Sequence, residues 1–150
     1  MTTILCIDDD PKILQCRKAV LGTRGYTVVT ALDGLAGIAI TRTHSIDIVI
    51  TDFQMPGMDG SQVAELLLKE KPKLPVLICS GCPDEIPVRV RYGVYNFLPK
   101  GDGPNVLLAM VEKLLTVKVT MKKPPARTKR IAARFSKGEL KPRGKVIFKN

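Results

Sequence analysis

The chain has 150 residues, 45% of them hydrophobic, and a formal net charge of +10, which fits about one domain with a hydrophobic core. No apolar run approaches the ~18 residues of a membrane span, and the first residues lack the basic and apolar regions of a signal peptide. We therefore expect a cytoplasmic protein without a membrane span.

The positive charge is concentrated near the carboxyl terminus. Residues 1–115 hold 12 Lys and Arg against 13 Asp and Glu, a net charge of −1, whereas residues 116–150 hold 12 against one acid, a net charge of +11. This shift in composition predicts a globular domain over residues 1–116 and a basic, flexible tail over residues 117–150.

Short apolar runs rich in β-branched residues predict buried strands. Taken in chain order, they lie at residues 3–7, 26–31, 46–52, 75–79 and 94–98. Amphipathic segments separate them, and their helix starts carry capping signals. Asp10 precedes Pro11, Asp33 caps a second helix, and Asp59 or Ser61 begins a third.

Two further segments complete the pattern. Pro83 and Pro87 favour a short helix or an irregular segment over residues 81–94, and Gly103 with Pro104 begins a last helix. Strands that alternate with helices predict an α/β fold, in which a parallel sheet is covered on both faces and the crossovers are right-handed.

Polar residues follow four of the predicted strands. They are Asp8 and Asp9 after the first strand, Asp52 after the third, Ser80 after the fourth and Lys100 after the fifth. Parallel strands bring their carboxyl ends to one edge, where open α/β sheets place their sites. Three crowded carboxylates repel one another unless a cation intervenes, and oxygen ligands at a solvated edge suit Mg²⁺.

Acids, a magnesium ion, a lysine and a hydroxyl together indicate phosphoryl chemistry. Asp52 is the candidate nucleophile, because the sequence pairs no Ser, Cys or His with a base. His44, the only histidine, precedes the third strand and is predicted at the opposite edge. In the simpler alternative, Asp8 and Asp9 belong to a helix cap and Asp52 forms a turn.

The cysteines indicate no secreted disulfide framework. Cys6 and Cys79 lie in apolar runs and are most simply core residues. Cys79 and Cys82 have the C-x-x-C spacing, but a redox role would need both thiols exposed near a helix start.

The sequence resembles the receiver domain of two-component response regulators. The matching pieces are ILCIDDD at 4–10, DFQMPGMDG at 52–60, ICSG at 78–81 and NFLPK at 96–100. The resemblance implies a flavodoxin-like sheet of order 2-1-3-4-5. It also implies a phosphoacceptor signalling domain rather than an enzyme, with a histidine kinase or phosphotransfer protein and an unidentified output protein as partners, and it is compatible with a homodimer.

The resemblance also implies a role for each site residue. Asp52 would accept the phosphoryl group and, with Asp9 and the backbone carbonyl of Gln54, bind Mg²⁺ directly, while Asp8 would act mainly through bound water. In addition, Ser80 and Lys100 would bind the phosphoryl oxygens, and Phe97 would be the switch aromatic.

Two departures from the family pattern concern the loops. Gly81 stands where the family usually has Ala, and the segment that follows is short and rich in proline, where the family has a helix of its usual output face. Gly101 follows Lys100 where the family usually has Pro, so we expect a trans peptide bond in place of the family's common cis bond.

Three hypotheses follow for the function of the chain. In the first, phosphorylation of Asp52 switches a protein-binding surface. In the second, the receiver gates nucleic-acid binding by residues 117–150, whose basic residues could track a phosphate backbone. A solvated, disordered tail is the simpler interpretation of those residues, and an acidic protein or an anionic membrane surface is an alternative partner for them. In the third, the domain is a degenerate receiver that serves only as an interaction scaffold.

Overall fold

The sheet has five parallel strands. The computed structural model describes residues 1–87 and 96–120. The strands pair in the order β2-β1-β3-β4-β5, which confirms the predicted doubly wound α/β sheet. Their bounds are β1 Thr3–Ile7, β2 Thr27–Ala31, β3 Ile48–Asp52, β4 Val76–Ser80 and β5 Asn96–Pro99.

Helices connect the strands and cover both faces of the sheet. They are α1 Pro11–Gly22, α2 Gly34–Thr43, α3 Gly60–Glu70 and α4 Pro104–Thr120, with a 3₁₀ turn at Pro83–Glu85 after β4. The face toward α2 and α3 buries residues such as Ile7, Val49 and Leu67. The opposite face, toward α1 and α4, buries residues such as Ile50 and Val111. Successive residues of the central strands point to opposite faces of the sheet, so each of these strands contributes to both cores.

Side-chain caps begin the first three helices, as the sequence predicts. The carboxylates of Asp10 and Asp33 accept hydrogen bonds from the amides of Lys12 and Ala36, respectively. At α3 the cap is Asp59 rather than Ser61, and its carboxylate accepts from the Gln62 amide in a reciprocal capping box. These caps fix where the chain turns from each strand end into a helix.

Several predictions about element bounds change in detail. The third strand begins at Ile48 rather than at residue 46, and β4 extends to Ser80. α4 continues to Thr120, four residues past the end of the predicted domain, while residues 1–119 form one compact unit. The predicted start of the fifth strand at Val94, residues 88–93 of the predicted irregular segment and the tail beyond residue 120 lie outside the described residues, so the flexible tail stays a prediction.

Within the described part of the chain, no helix combines the length and the apolarity that are needed to cross a bilayer.

Candidate functional site

Three carboxylates meet at the carboxyl edge of the sheet. β1 and β3 are neighbours with Ile7 opposite Thr51, so the chain continues from them into Asp8 and Asp52 side by side. One carboxylate oxygen from each of Asp8, Asp9 and Asp52 lies within 4.8 Å of the others. Asp8 and Asp52 are buried, whereas Asp9 is exposed. We call these three residues the acid cluster; the sequence predicts its three members.

Two basic side chains contact the acid cluster. Lys100 Nζ lies 2.7 Å from Asp52 Oδ1, and one terminal guanidinium nitrogen of Arg17 lies 3.2 Å from Asp8 Oδ2. Both contacts are ion pairs. Within the described residues, however, neither Asp52 Oδ1 nor Asp8 Oδ2 accepts a hydrogen bond of good geometry. Buried carboxylate oxygens in this state fit a site that completes its coordination with a cation or with water.

Burial makes the ionised form of Asp8 unfavourable. Desolvation raises the pKa of Asp8 above its ordinary value of 3.8, and the nearby charge of Asp52 raises it further. The amide of Asp10, which donates to Asp8 Oδ1 at 3.0 Å, and the charges of Arg17 and Lys100 act in the opposite direction. The net shift is upward because the desolvation of the buried carboxylate outweighs these favourable contacts.

Gly60 allows the start of α3 to approach the backbone of Asp52. A Cβ atom on this residue would overlap the carbonyl oxygen of Asp52. The Gly60 amide donates to the carbonyl of Phe53 at 2.9 Å, which closes the loop that begins at Asp52. The Asp-Gly pair at the end of the DFQMPGMDG motif thus caps α3 through Asp59 and provides room through Gly60.

Ser80 and Lys100 lie at neighbouring strand ends. The Lys100 amide donates to the Ser80 carbonyl at 2.8 Å, and the buried Ser80 hydroxyl accepts from the Cys82 amide at 3.0 Å. Phe97 is opposite Ile78 in the sheet and is partly buried against the core that faces α2 and α3. The structure therefore brings Lys100 into contact with the acid cluster, with Ser80 beside it, while Phe97 packs on the core.

The loops on either side of the site carry two further features. Gln54 is exposed two residues after Asp52, and its amide group donates to the Glu85 carboxylate at 3.4 Å. Gly101 has a φ of +124°, which proline cannot adopt because its ring holds φ near −65°. Since no peptide bond within the described residues is cis, the expected trans bond after Lys100 is confirmed, and the loop turns at Gly101.

Other polar residues of the sequence lie outside the site. His44 is exposed at the end of α2, where its Nδ1 lies 2.8 Å from the Thr43 hydroxyl. All four cysteines are free, and Cys6 and Cys79 are buried. Burial raises the pKa of Cys6 to about 12 and also raises that of Cys79, so these thiols are inert and the C-x-x-C spacing indicates no redox pair.

Arg17 is the site residue that the sequence patterns missed. It lies on the apolar face of α1, three residues after Leu14 and four before Leu21, and all three are buried. A basic residue among leucines at helical spacing needs a buried counter-charge, and that mismatch was a signal in the sequence. Periodicity alone did not identify Asp8 as the partner.

Comparison with known proteins decides the family. A family model described as "Response regulator receiver domain" matches residues 4–112.

This chain belongs to the response regulator receiver domain family.

Receiver domains are phosphoacceptor signalling domains of two-component systems that interact with histidine kinases or phosphotransfer proteins, rather than classical enzymes. The chain is 33% identical over 115 residues to the transcriptional regulatory protein GlrR of Escherichia coli, and 34% identical over 116 residues to the response regulator GtcR of Aneurinibacillus migulanus. Each match covers 75% of this chain, but only 26% of GlrR and 47% of GtcR.

Solved structures give the same result. A response regulator receiver domain protein from Clostridium thermocellum is 30% identical with a TM-score of 0.75, and the match covers 81% of this chain and 99% of that one. The response regulator TrrA from Thermotoga maritima, solved in complex with Mg²⁺-BeF, is 28% identical with a TM-score of 0.73. That match covers 77% of this chain and 100% of TrrA.

The raised pKa of Asp8 predicts a pH-dependent stability of this receiver domain. The folded state binds the Asp8 proton more tightly than the unfolded state, so the associated stability is complete below pH 3.8 and is lost as the pH rises through the raised pKa. The asparagine of Asp8→Asn does not ionise, so this variant keeps the stability contribution at every pH. With divalent cations removed by a chelator, the variant should match wild type in acid and be more stable than wild type at neutral pH, as measured by urea denaturation.

A matched substitution tests whether the gain in stability depends on where the carboxylate charge is removed. Asp33→Asn removes the same charge from an exposed helix cap, where asparagine caps about as well as aspartate. This variant should not reproduce the gain at neutral pH. A neutral-pH stability of Asp8→Asn that is equal to or lower than wild type would contradict the account of the acid cluster.

Proposed function

We propose that this domain accepts a phosphoryl group on Asp52 from a histidine kinase or a phosphotransfer protein, and that phosphorylation switches a protein-binding surface. The observation that carries the proposal is the contact of 2.7 Å between Lys100 and Asp52, at the same sheet edge as Asp8 and Asp9. A lysine ammonium is a compact positive charge that suits a phosphoryl oxygen.

Asp52 is the nucleophile in this proposal. One of its carboxylate oxygens attacks phosphorus, the bond from phosphorus to the donor's histidine nitrogen breaks, and the histidine leaves with its electron pair. Asp52 then carries an acyl phosphate, whose oxygens are within reach of Lys100 because that lysine already contacts the carboxylate. The surrounding groups hold the acceptor in place and balance charge, which is how phosphoryl transfer is mainly catalysed.

Mg²⁺ is the proposed metal. Asp9, Asp52 and the backbone carbonyl of Gln54 would hold it, and Asp8 would contribute through bound water. The oxygen-only donor set and the solvent-exposed side at Asp9 support this choice, as does the similarity to TrrA, which was solved with Mg²⁺-BeF. When bound, the ion neutralises charge on the transferring phosphoryl group.

Ser80 and Phe97 are the proposed switch. The Ser80 hydroxyl accepts from the Cys82 amide, and its own O–H would donate to a phosphoryl oxygen on Asp52, which would draw the hydroxyl toward Asp52. A shift of Ser80 changes the loop after β4, and Phe97, which is only partly buried, can then turn further inward. The phosphoryl group shifts this balance only by its different contacts in the two loop arrangements.

Phosphorylation in vitro tests the proposal. Incubation of the full chain with a small acyl phosphate and Mg²⁺ should add the mass of one phosphoryl group, which intact-protein mass spectrometry detects. Asp52→Asn should abolish the gain, because an amide cannot form the acyl phosphate. Lys100→Met should reduce the level of phosphorylation by ~10-fold or more, since it removes the charge that pairs with the phosphoryl oxygen.

Asp33→Asn is the matched control and should be phosphorylated like wild type. An equal mass gain on Asp52→Asn would refute the choice of acceptor. A wild-type chain that neither gains mass nor binds Mg²⁺ in a titration would instead support the scaffold hypothesis, since a scaffold has no need of the metal.

A second candidate function is phosphorylation-gated binding of nucleic acid. The observation that favours it is the charge of residues 116–150, with 12 Lys and Arg against one acid. Relatives such as GlrR are named as transcriptional regulatory proteins, although this chain covers only a quarter of GlrR. Binding of this kind would be electrostatic, so its affinity would fall steeply with salt.

Duplex DNA binding by the full chain and by a chain that ends at Thr120 tests the second candidate. The full chain should bind more tightly at low salt, by ~10-fold or more, and the difference should shrink at higher salt because released counterions drive the binding. Fluorescence anisotropy at two salt concentrations measures both. Equal affinities of the two chains at low salt would remove this candidate.

A further inference from the structure

Arg17 carries its positive charge on the buried face of α1. Leu14 and Leu21, one helical turn before and after it, pack in the core that faces α1 and α4, and the Arg17 side chain is only 10% exposed. A basic side chain is rarely buried to this extent unless it is paired. Arg17 lies 3.2 Å from Asp8, so its guanidinium reaches the acid cluster through the protein interior.

Both carboxylate oxygens of Asp8 are engaged. Oδ1 accepts the Asp10 amide at 3.0 Å, and Oδ2 faces Arg17. These two contacts fix the orientation of the carboxylate, and the Arg17 charge makes the oxygen that it faces a poorer ligand for a cation. Among residues 1–87 and 96–120, no buried cation pairs with the exposed Asp9 carboxylate. Arg17 therefore restrains Asp8 to a supporting position.

Arg17 also changes the net charge of the site. The acid cluster with Lys100 carries −2, and Arg17 brings the total to −1. A bound Mg²⁺ changes that total to +1. A phosphoryl group of about −2 in place of the Asp52 carboxylate charge then brings it to about zero. With Arg17 present, the site is therefore neutral in its phosphorylated, metal-bound state and positive when it holds the metal alone.

We propose that Arg17 is a positioning residue and an internal counter-ion of the receiver site, which weakens Mg²⁺ binding to the unphosphorylated domain and stabilises the phosphorylated one. The inference rests on the proposed function, since it concerns the same metal and the same phosphoryl group. Arg17 acts through Asp8 and through the net charge, and does not itself contact the phosphoryl group.

Calorimetric titration of Mg²⁺ into the full chain tests whether Arg17 weakens Mg²⁺ binding to the unphosphorylated domain. Arg17→Gln and Arg17→Met remove the charge and free one oxygen of Asp8, so both should bind Mg²⁺ at least about fivefold more tightly than wild type. Arg17→Lys keeps the charge and should bind Mg²⁺ almost as weakly as wild type. Arg24→Gln is the matched control, because Arg24 lies in an exposed ion pair with Glu112, and its affinity should equal that of wild type.

Titration with beryllofluoride, at Mg²⁺ concentrations that saturate each variant, tests whether Arg17 stabilises the phosphorylated state. Beryllofluoride on a carboxylate mimics the phosphoryl group in charge and shape, so Arg17→Gln should bind it at least about fivefold more weakly than wild type. The two effects have opposite signs. Structural damage at the site would weaken both ligands and could not tighten Mg²⁺ binding.

Asp8 provides the test of positioning. In an Asp8→Asn background no carboxylate remains to be released, so Arg17→Gln should tighten Mg²⁺ binding by a smaller factor than in wild type. Equal factors in the two backgrounds would overturn the positioning role.

The remaining outcomes separate the inference from the proposed function. If wild type binds both ligands and the Arg17→Gln and Arg17→Met affinities are unchanged, or if both variants bind Mg²⁺ more weakly, the inference is wrong while the proposed function stands. If wild type binds neither Mg²⁺ nor beryllofluoride, the proposed function fails first, and the inference falls with it.

Discussion

Repulsion among three carboxylates at one sheet edge is the constraint on which the rest of this structure depends. Asp8 and Asp52 are buried side by side, with Asp9 at the solvent boundary, and burial makes each additional negative charge more costly. Lys100 and Arg17 balance part of the charge and leave the cluster one negative charge in excess. That excess is the physical reason to expect a divalent cation at this edge.

The doubly wound sheet delivers these groups without long loops. β1 and β3 are the inner neighbours, so their carboxyl ends place Asp8 and Asp52 together, while β4 and β5 add Ser80 and Lys100 from one side. Gly60 allows α3 to begin against the backbone of Asp52. The central strands β3 and β4 are buried along their whole length, which keeps the positions of their ends well defined.

Much of this arrangement could be predicted from the sequence, because apolar runs, caps and the acids after strands are local signals. The pairs Asp10-Pro11 and Asp59-Gly60 place helix starts with little ambiguity. The sheet order came from the family resemblance, since strand pairing is not local. Two features escaped prediction for the same reason: Arg17 meets Asp8 only in the folded chain, and the φ of +124° at Gly101 depends on how β5 joins α4.

The most direct test of this electrostatic account is a crystal structure of the chain with Mg²⁺ and beryllofluoride. The account predicts Mg²⁺ bound by Asp9, Asp52 and the Gln54 carbonyl, beryllofluoride on Asp52, and the Lys100 ammonium on a fluorine. Asp8 should still face Arg17 rather than bind the ion directly. An acid cluster that holds neither ligand would contradict the account.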